Sequence, residues 1–186
     1  MVGVDAPAGR ASGCAIGGRL VLTSAHAVAG PSGGGAAAVG VRVRVFRPGE
    51  AGTFGAVVVW CGRDDAALLR VDDGPGWAEP QPVRWGRLVT DRTGVDCQAW
   101  GLPEHAQREG WAAQVEQSSG WLNPGSGYVA DRYVMTVRGS APGWDRPVPV
   151  WGGMSGGAVF CGPLLTGVVT AERAYTGNGR LVLSPA

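Results

Sequence analysis

Lysine is missing altogether: the 16 basic residues are all arginine, set against 15 acidic ones, for a net charge of +1 over 186 residues. That balance excludes bulk electrostatic attraction to nucleic acid or to an anionic membrane surface, so neither is expected as a partner. Histidine is scarce, with two in the chain, which leaves few candidates for chemistry that needs an imidazole. The four cysteines, Cys14, Cys61, Cys97 and Cys161, stand singly. Without the C-x-x-C pairs used by zinc sites and thioredoxin-like chemistry, no metal and no other cofactor is expected. No apolar run approaches the roughly eighteen residues of a membrane helix, and the start, MVGVDAPAGRASG, lacks a basic segment followed by a long apolar one. The expectation is an unexported, cytoplasmic protein whose thiols are reduced. Abundant arginine, alanine and glycine without lysine suits a GC-rich bacterial coding sequence.

Long helices are missing too. The 33 glycines and 13 prolines are spread so that no amphipathic stretch continues far enough for a substantial helix. What is present is short and twofold. In VGVRVRVF, Val39, Val41, Val43 and Val45 share one face and Arg42 and Arg44 the other, the pattern of a half-buried antiparallel strand. Similar segments start at Arg19, Thr53, Ala66, Asp96, Ala112, Tyr128, Ala158, Leu164 and Arg180. Short strands separated by turn residues predict an all-β barrel or sandwich. The turn-rich segment DDGPGWAEPQP, Asp72 to Pro82, breaks the pattern near the midpoint and reads as the crossing between two halves. With 45% apolar residues, the chain can bury one sizeable core or two small ones side by side.

The segment WGGMSGGAVF sets Ser155 among glycines with no other polar side chain nearby. It fits both a tight turn and a nucleophile with clearance around it. Gly153-x-Ser155-x-Gly157 satisfies G-x-S-x-G, a weak signal in a glycine-rich chain. An α/β-hydrolase would need an acid and then a histidine after the serine, and neither histidine nor aspartate follows Ser155. The opposite order, histidine, aspartate, serine, is available. His26 lies in LVLTSAHAV at the end of an apolar strand, and Asp65 lies in GRDDAALLRV beside another. The second histidine, His105 in GLPEHAQREG, sits in a charged loop without a companion motif and reads as solvent-exposed.

Taken together, TSAHAV, DAALLRV and GGMSGGAVF, with SGCAIGGRLVL leading into the histidine and LLTGVV following the serine, resemble the trypsin-like (chymotrypsin-fold) serine peptidases, in particular their compact bacterial intracellular type. The resemblance implies two six-stranded antiparallel Greek-key barrels, over residues 1–78 and 79–186, with the active site in the cleft between them. It implies a serine endopeptidase acting on protein or peptide substrates, with His26 as general base, Asp65 orienting it and Ser155 as nucleophile. The N–H groups of Gly153 and Ser155 would form the oxyanion hole, each donor worth about 3 kcal/mol of barrier. The substrate pocket would be lined by Pro149, Val150, Trp151, Gly152, Thr170, Ala171 and Glu172, with the Thr170 hydroxyl supporting the aspartate.

The sequence also departs from the family. Secreted relatives bracket the histidine with a disulfide; here Cys14 has only Ala27 where its partner would stand. Cys97 and Cys161 fall near positions bridged in secreted enzymes. At the base of the primary pocket, where trypsin-type enzymes carry an aspartate, stands Pro149, so an apolar or small P1 residue is expected rather than a basic one. Glu172 is the one acid on the wall that could reach a cation from the side. Secreted zymogens switch on when a new amino terminus pairs with an acid directly before the serine; here that residue is Met154, which cannot form an ion pair. The resemblance also implies that the chain is the protease module of a larger bacterial, defence-type protein, with a regulatory domain or partner protein. A catalytically silent, partner-binding module is the alternative reading, and an esterase a lesser one.

Overall fold

A computed structural model of the chain describes residues 1–7, 9–29, 38–62, 64–127, 130–139, 151–170, the main chain of 171–172, and 179–185. Strands β1 (Val2–Ala6), β2 (Gly9–Gly17), β3 (Leu20–Ser24), β4 (Arg42–Phe46), β5 (Phe54–Cys61) and β6 (Ala66–Val71) close into an antiparallel barrel in the order β1-β2-β3-β6-β5-β4. Between β3 and β4 runs a short helix, α1 (Ala25–Ala29). The alternation expected around the arginines is present where the strand is: Val43 and Val45 point into the barrel, and Arg42 and Arg44 point out. Val39 lies before the strand and is 52% exposed, because the chain turns at Val39 and Gly40 before pairing begins.

Residues 72–83 carry the chain across to the second half. There, β8 (Val95–Gly101), β9 (Glu116–Leu122), β10 (Tyr133–Val137), β11 (Ala158–Cys161), β12 (Leu164–Glu172) and β13 (Arg180–Pro185) form a ring in the order β11-β8-β9-β10-β13-β12, closed by pairing of β11 with β12. A two-residue strand, β7 (Arg84–Trp85), is added in parallel on β12. The fold is therefore two closed six-stranded barrels, as expected, with β7 as an extra. Two strands are absent from the expected set: β1, whose apolar signal is the single pair Val2 and Val4, and β2, rich in glycine and alanine, which carry little hydrophobic signal. Strand β9 begins at Glu116 and not at Ala112, since the alanines there belong to the loop.

Three cores hold the molecule together. Val2, Val4, Val21, Val45, Leu69 and their neighbours fill the first barrel; Leu122, Met135, Met154, Leu181 and Leu183 fill the second. The third lies between the barrels. Cys14, Leu22 and Ala66 from the first pack on Ala158, Leu165 and Val168 from the second. Burying apolar side chains across this seam fixes one barrel against the other, and the segments ending at that seam carry His26, Asp65 and Ser155. Among the described residues no helix is long and apolar enough to cross a membrane.

Candidate active site

His26 is carried by α1, two residues beyond the end of β3, just after the apolar strand as the sequence pattern places it. Asp65 occupies the turn before β6 with φ +60, a left-handed conformation that aspartate tolerates better than bulkier residues do. That turn is held from both barrels. Ala25 N–H donates to Asp65 O at 2.9 Å. From the second barrel, Arg132 Nη1 donates to Asp64 O at 2.8 Å and pairs with the Asp64 carboxylate at 3.5 Å. The hydroxyl of Ser184, on β13, donates to the same Asp64 carbonyl.

The three predicted residues meet in one chain of hydrogen bonds. His26 main-chain N–H donates to Asp65 Oδ1 at 2.8 Å, and His26 Nδ1 stands 2.7 Å from Asp65 Oδ2. A carboxylate only accepts, so Nδ1 carries the proton. In the neutral ring Nε2 then presents its lone pair, and it faces Ser155 Oγ at 3.0 Å. The imidazole is 48% exposed and the carboxylate 25%, so the group opens to solvent on one side.

The glycines around Ser155 answer to sterics on the far side of the loop. Gly153 has φ +80, and a Cβ there would stand 2.5 Å from Leu102 O. A Cβ on Gly156, φ +81, would run into Ser12 O and the Thr23 hydroxyl. The loop main chain is ordered by specific bonds: Glu104 N–H to Gly152 O at 2.6 Å, Met154 N–H to Trp151 O at 2.9 Å, Gly156 N–H to Val169 O at 2.7 Å and Gly157 N–H to Met154 O at 2.8 Å. Among the described residues, the N–H groups of Gly153 and Ser155 have no acceptor.

Residues 11–163 match the family profile of the trypsin-like peptidase domain. The chain belongs to this family. In fold, this trypsin-like peptidase domain is similar to the inactive form of a serine-to-alanine mutant of Rv3671c from M. tuberculosis H37Rv (TM-score 0.66, 20% identity, covering 100% of this chain and 80% of that one). It is similar as well to a human pathogenic astrovirus serine protease (TM-score 0.64, 14% identity, 100% and 88% covered). The MamO protease domain from Magnetospirillum magneticum is a third such structure (TM-score 0.63, 20% identity, 100% and 90% covered). No curated protein matches the sequence.

Other expected site residues of this peptidase domain fare differently. Trp151 is 5% exposed and packs in the second core with Met154. Its indole also meets the ring of His105 edge-on at 5.7 Å between centroids, so His105 is half-buried against an aromatic and not the solvated loop residue expected. The aromatic partner lies far along the chain, and no local pattern signals it. The Thr170 hydroxyl donates to Val182 O at 3.3 Å and makes no bond to Asp65, whose two oxygens are occupied by His26. Pro149 and Val150 lie outside the described residues; Ala171 and Glu172 are placed on β12 by their main chain alone. Among the described residues no three histidine, cysteine, aspartate or glutamate side chains gather as metal ligands. Sequence reasoning also missed Ser12, Arg132 and Ser184, small or common polar residues whose partners are distant in sequence.

Proposed function

We propose that this chain is an active serine endopeptidase in which Ser155, His26 and Asp65 carry the reaction. The observation behind the reading is the single imidazole bonded on one side to Asp65 Oδ2 and on the other to Ser155 Oγ, at 2.7 and 3.0 Å. Ser155 Oγ attacks the scissile carbonyl carbon while its proton passes to His26 Nε2; that proton then leaves with the amine as the carbon–nitrogen bond breaks. Water repeats the sequence on the acyl-enzyme and frees the acid. Asp65 keeps the ring in the working tautomer and stabilises the imidazolium. The negative oxygen of each tetrahedral intermediate is received by the N–H groups of Gly153 and Ser155, whose lack of other acceptors supports this role. Pro149 in place of a pocket carboxylate favours an apolar or small P1 residue, with protein or peptide chains as substrates and a further domain or partner as regulator.

Fluorophosphonate labelling tests the reading. Wild-type protein should be labelled on Ser155 and should cleave a denatured protein substrate, and Ser155→Ala should lose both while melting like wild type, since removing a triad nucleophile costs about a millionfold. Wild-type protein that folds but is neither labelled nor active would leave the silent, partner-binding module standing instead.

A further inference from the structure

The donors proposed for the oxyanion are useful only if the loop carrying them is held, and the device that secreted relatives use needs an acid at the position of Met154. Met154 is fully buried and carries no charge. Something else must orient the peptides on either side of residue 153.

We propose that Ser12, on β2 of the first barrel, is the positioning residue that pins this loop and keeps the hole formed without an activating ion pair. Ser12 is fully buried and spends its polar groups on the site. Its N–H donates to Ser155 O at 2.8 Å. Its hydroxyl donates to Gly153 O at 2.7 Å and accepts from Leu102 N–H at 2.8 Å. Its carbonyl accepts from the buried hydroxyl of Thr23 at 2.7 Å, which ties it to β3 three residues before His26. The consequences follow from peptide planarity. In a trans peptide the N–H points opposite to the preceding carbonyl, and no peptide in the described chain is cis. Glu104 N–H holding Gly152 O therefore turns the Gly153 N–H to the side opposite Glu104. Ser12 holding Gly153 O, with Trp151 O holding Met154 N–H, locks the next peptide. Gly157 N–H on Met154 O then leaves the Ser155 N–H facing out, and the Ser12 N–H on Ser155 O fixes the peptide after it. Gly101 is part of the same arrangement: a Cβ there would stand 2.8 Å from Ser12 Oγ and 2.5 Å from Met154 Sδ. A neutral, buried clamp of this kind makes the loop independent of any freed amino terminus.

The inference rests on the peptidase reading for its kinetic consequence, and its structural part is measured separately. Ser12→Ala should lower kcat by tenfold to a hundredfold, below the hundredfold to thousandfold of losing one hole donor outright, with KM changed by less than about twofold. Ser12→Thr, which returns the hydroxyl, should recover most of that loss. In the inert Ser155→Ala background, Ser12→Ala should speed amide exchange at Leu102 at least tenfold, since its acceptor is gone, and should shift the Gly153 amide resonance. If Ser12→Ala does not fold, Ser12→Cys, close in volume with a weak sulfur donor, is read for the same kcat and exchange changes. Unchanged kcat with Leu102 still protected would overturn the proposal, as would a loss confined to KM or to melting temperature. Wild-type protein without peptidase activity would defeat the peptidase reading while the exchange measurement still decides the clamp.

Discussion

Asp65→Asn probes the site most sharply because it changes one atom and leaves the shape alone. Asp65 offers one oxygen to the His26 main-chain N–H at 2.8 Å and the other to Nδ1 at 2.7 Å. An asparagine can satisfy the first only by keeping its carbonyl there, which turns its NH2 group toward Nδ1. Nδ1 must then accept, the proton moves to Nε2, and Nε2 faces Ser155 Oγ as a donor, unable to act as a base. Flipping the amide restores the tautomer but sets two donors against each other at the main-chain N–H, at about 1–3 kcal/mol. Loss of the carboxylate also removes its attraction for the imidazolium, about 1–4 kcal/mol for charges about 4 Å apart. Solvent reaches both side chains, so the lower half of that range applies, and the sum is about 2–5 kcal/mol. At about 1.4 kcal/mol per decade, kcat/KM should fall between roughly thirtyfold and several thousandfold. Initial rates on a peptide ester, with the melting temperature of both proteins measured alongside, provide the check. An Asp65→Asn protein within threefold of wild type would refute the tautomer argument and with it the role of Asp65.

Gly153→Ala should cost about 2 kcal/mol or more in urea denaturation and abolish labelling, since φ +80 and the Leu102 carbonyl both oppose a Cβ; a variant as stable as wild type would contradict that geometry. Ser24 is fully buried with a hydroxyl that has no hydrogen-bond partner among the described residues, so Ser24→Ala should be neutral or stabilising by up to about 1 kcal/mol, and a clear drop in melting temperature would count against it. Burial, with smaller contributions from Cys161 and Asp96, pushes the Cys97 thiol from its ordinary 9.0 up to about 12. The unfolded chain then releases this proton first, so the stability Cys97 contributes is whole below pH 9 and is lost as pH rises toward 12. Wild type should therefore lose stability faster than Cys97→Ala over that window, and parallel curves would exclude the effect.

The residues legible in the sequence are those whose chemistry is rare and whose setting is local. With two histidines in the chain, the one beside an apolar strand was conspicuous, and Ser155 was marked by the glycines that its loop requires. Asp65 was legible once the order histidine, aspartate, serine was imposed, although its positive φ was not, because nothing in GRDDAALLRV distinguishes a strained turn from a solvated one. The strands rich in valine and leucine announce themselves by twofold alternation, whereas β1 offers only the pair Val2 and Val4 and β2 packs glycine and alanine to admit close neighbours. A Cβ on Gly13 would stand 2.8 Å from Val21. The loss of hydrophobic contrast is thus a direct result of tight packing.

What escaped the sequence is the set of bonds that makes three separated residues one site, and the reason is physical. Ser12 reaches Gly153 across 141 positions and Arg132 reaches Asp64 across 68; neither has a local partner to betray it, and serine and arginine are common. Yet these two contacts act on complementary halves of the machinery. Arg132, from the second barrel, holds the turn that presents Asp65, and Ser12, from the first, holds the loop that presents Ser155. Each barrel therefore positions a segment of the other, so opening the seam would disturb Asp65 and Ser155 together. Local sequence marks the candidate side chains, but their registry depends on the closed interface. A peptidase built this way loses its site as a unit, which is the cooperative behaviour expected where two small cores share a third.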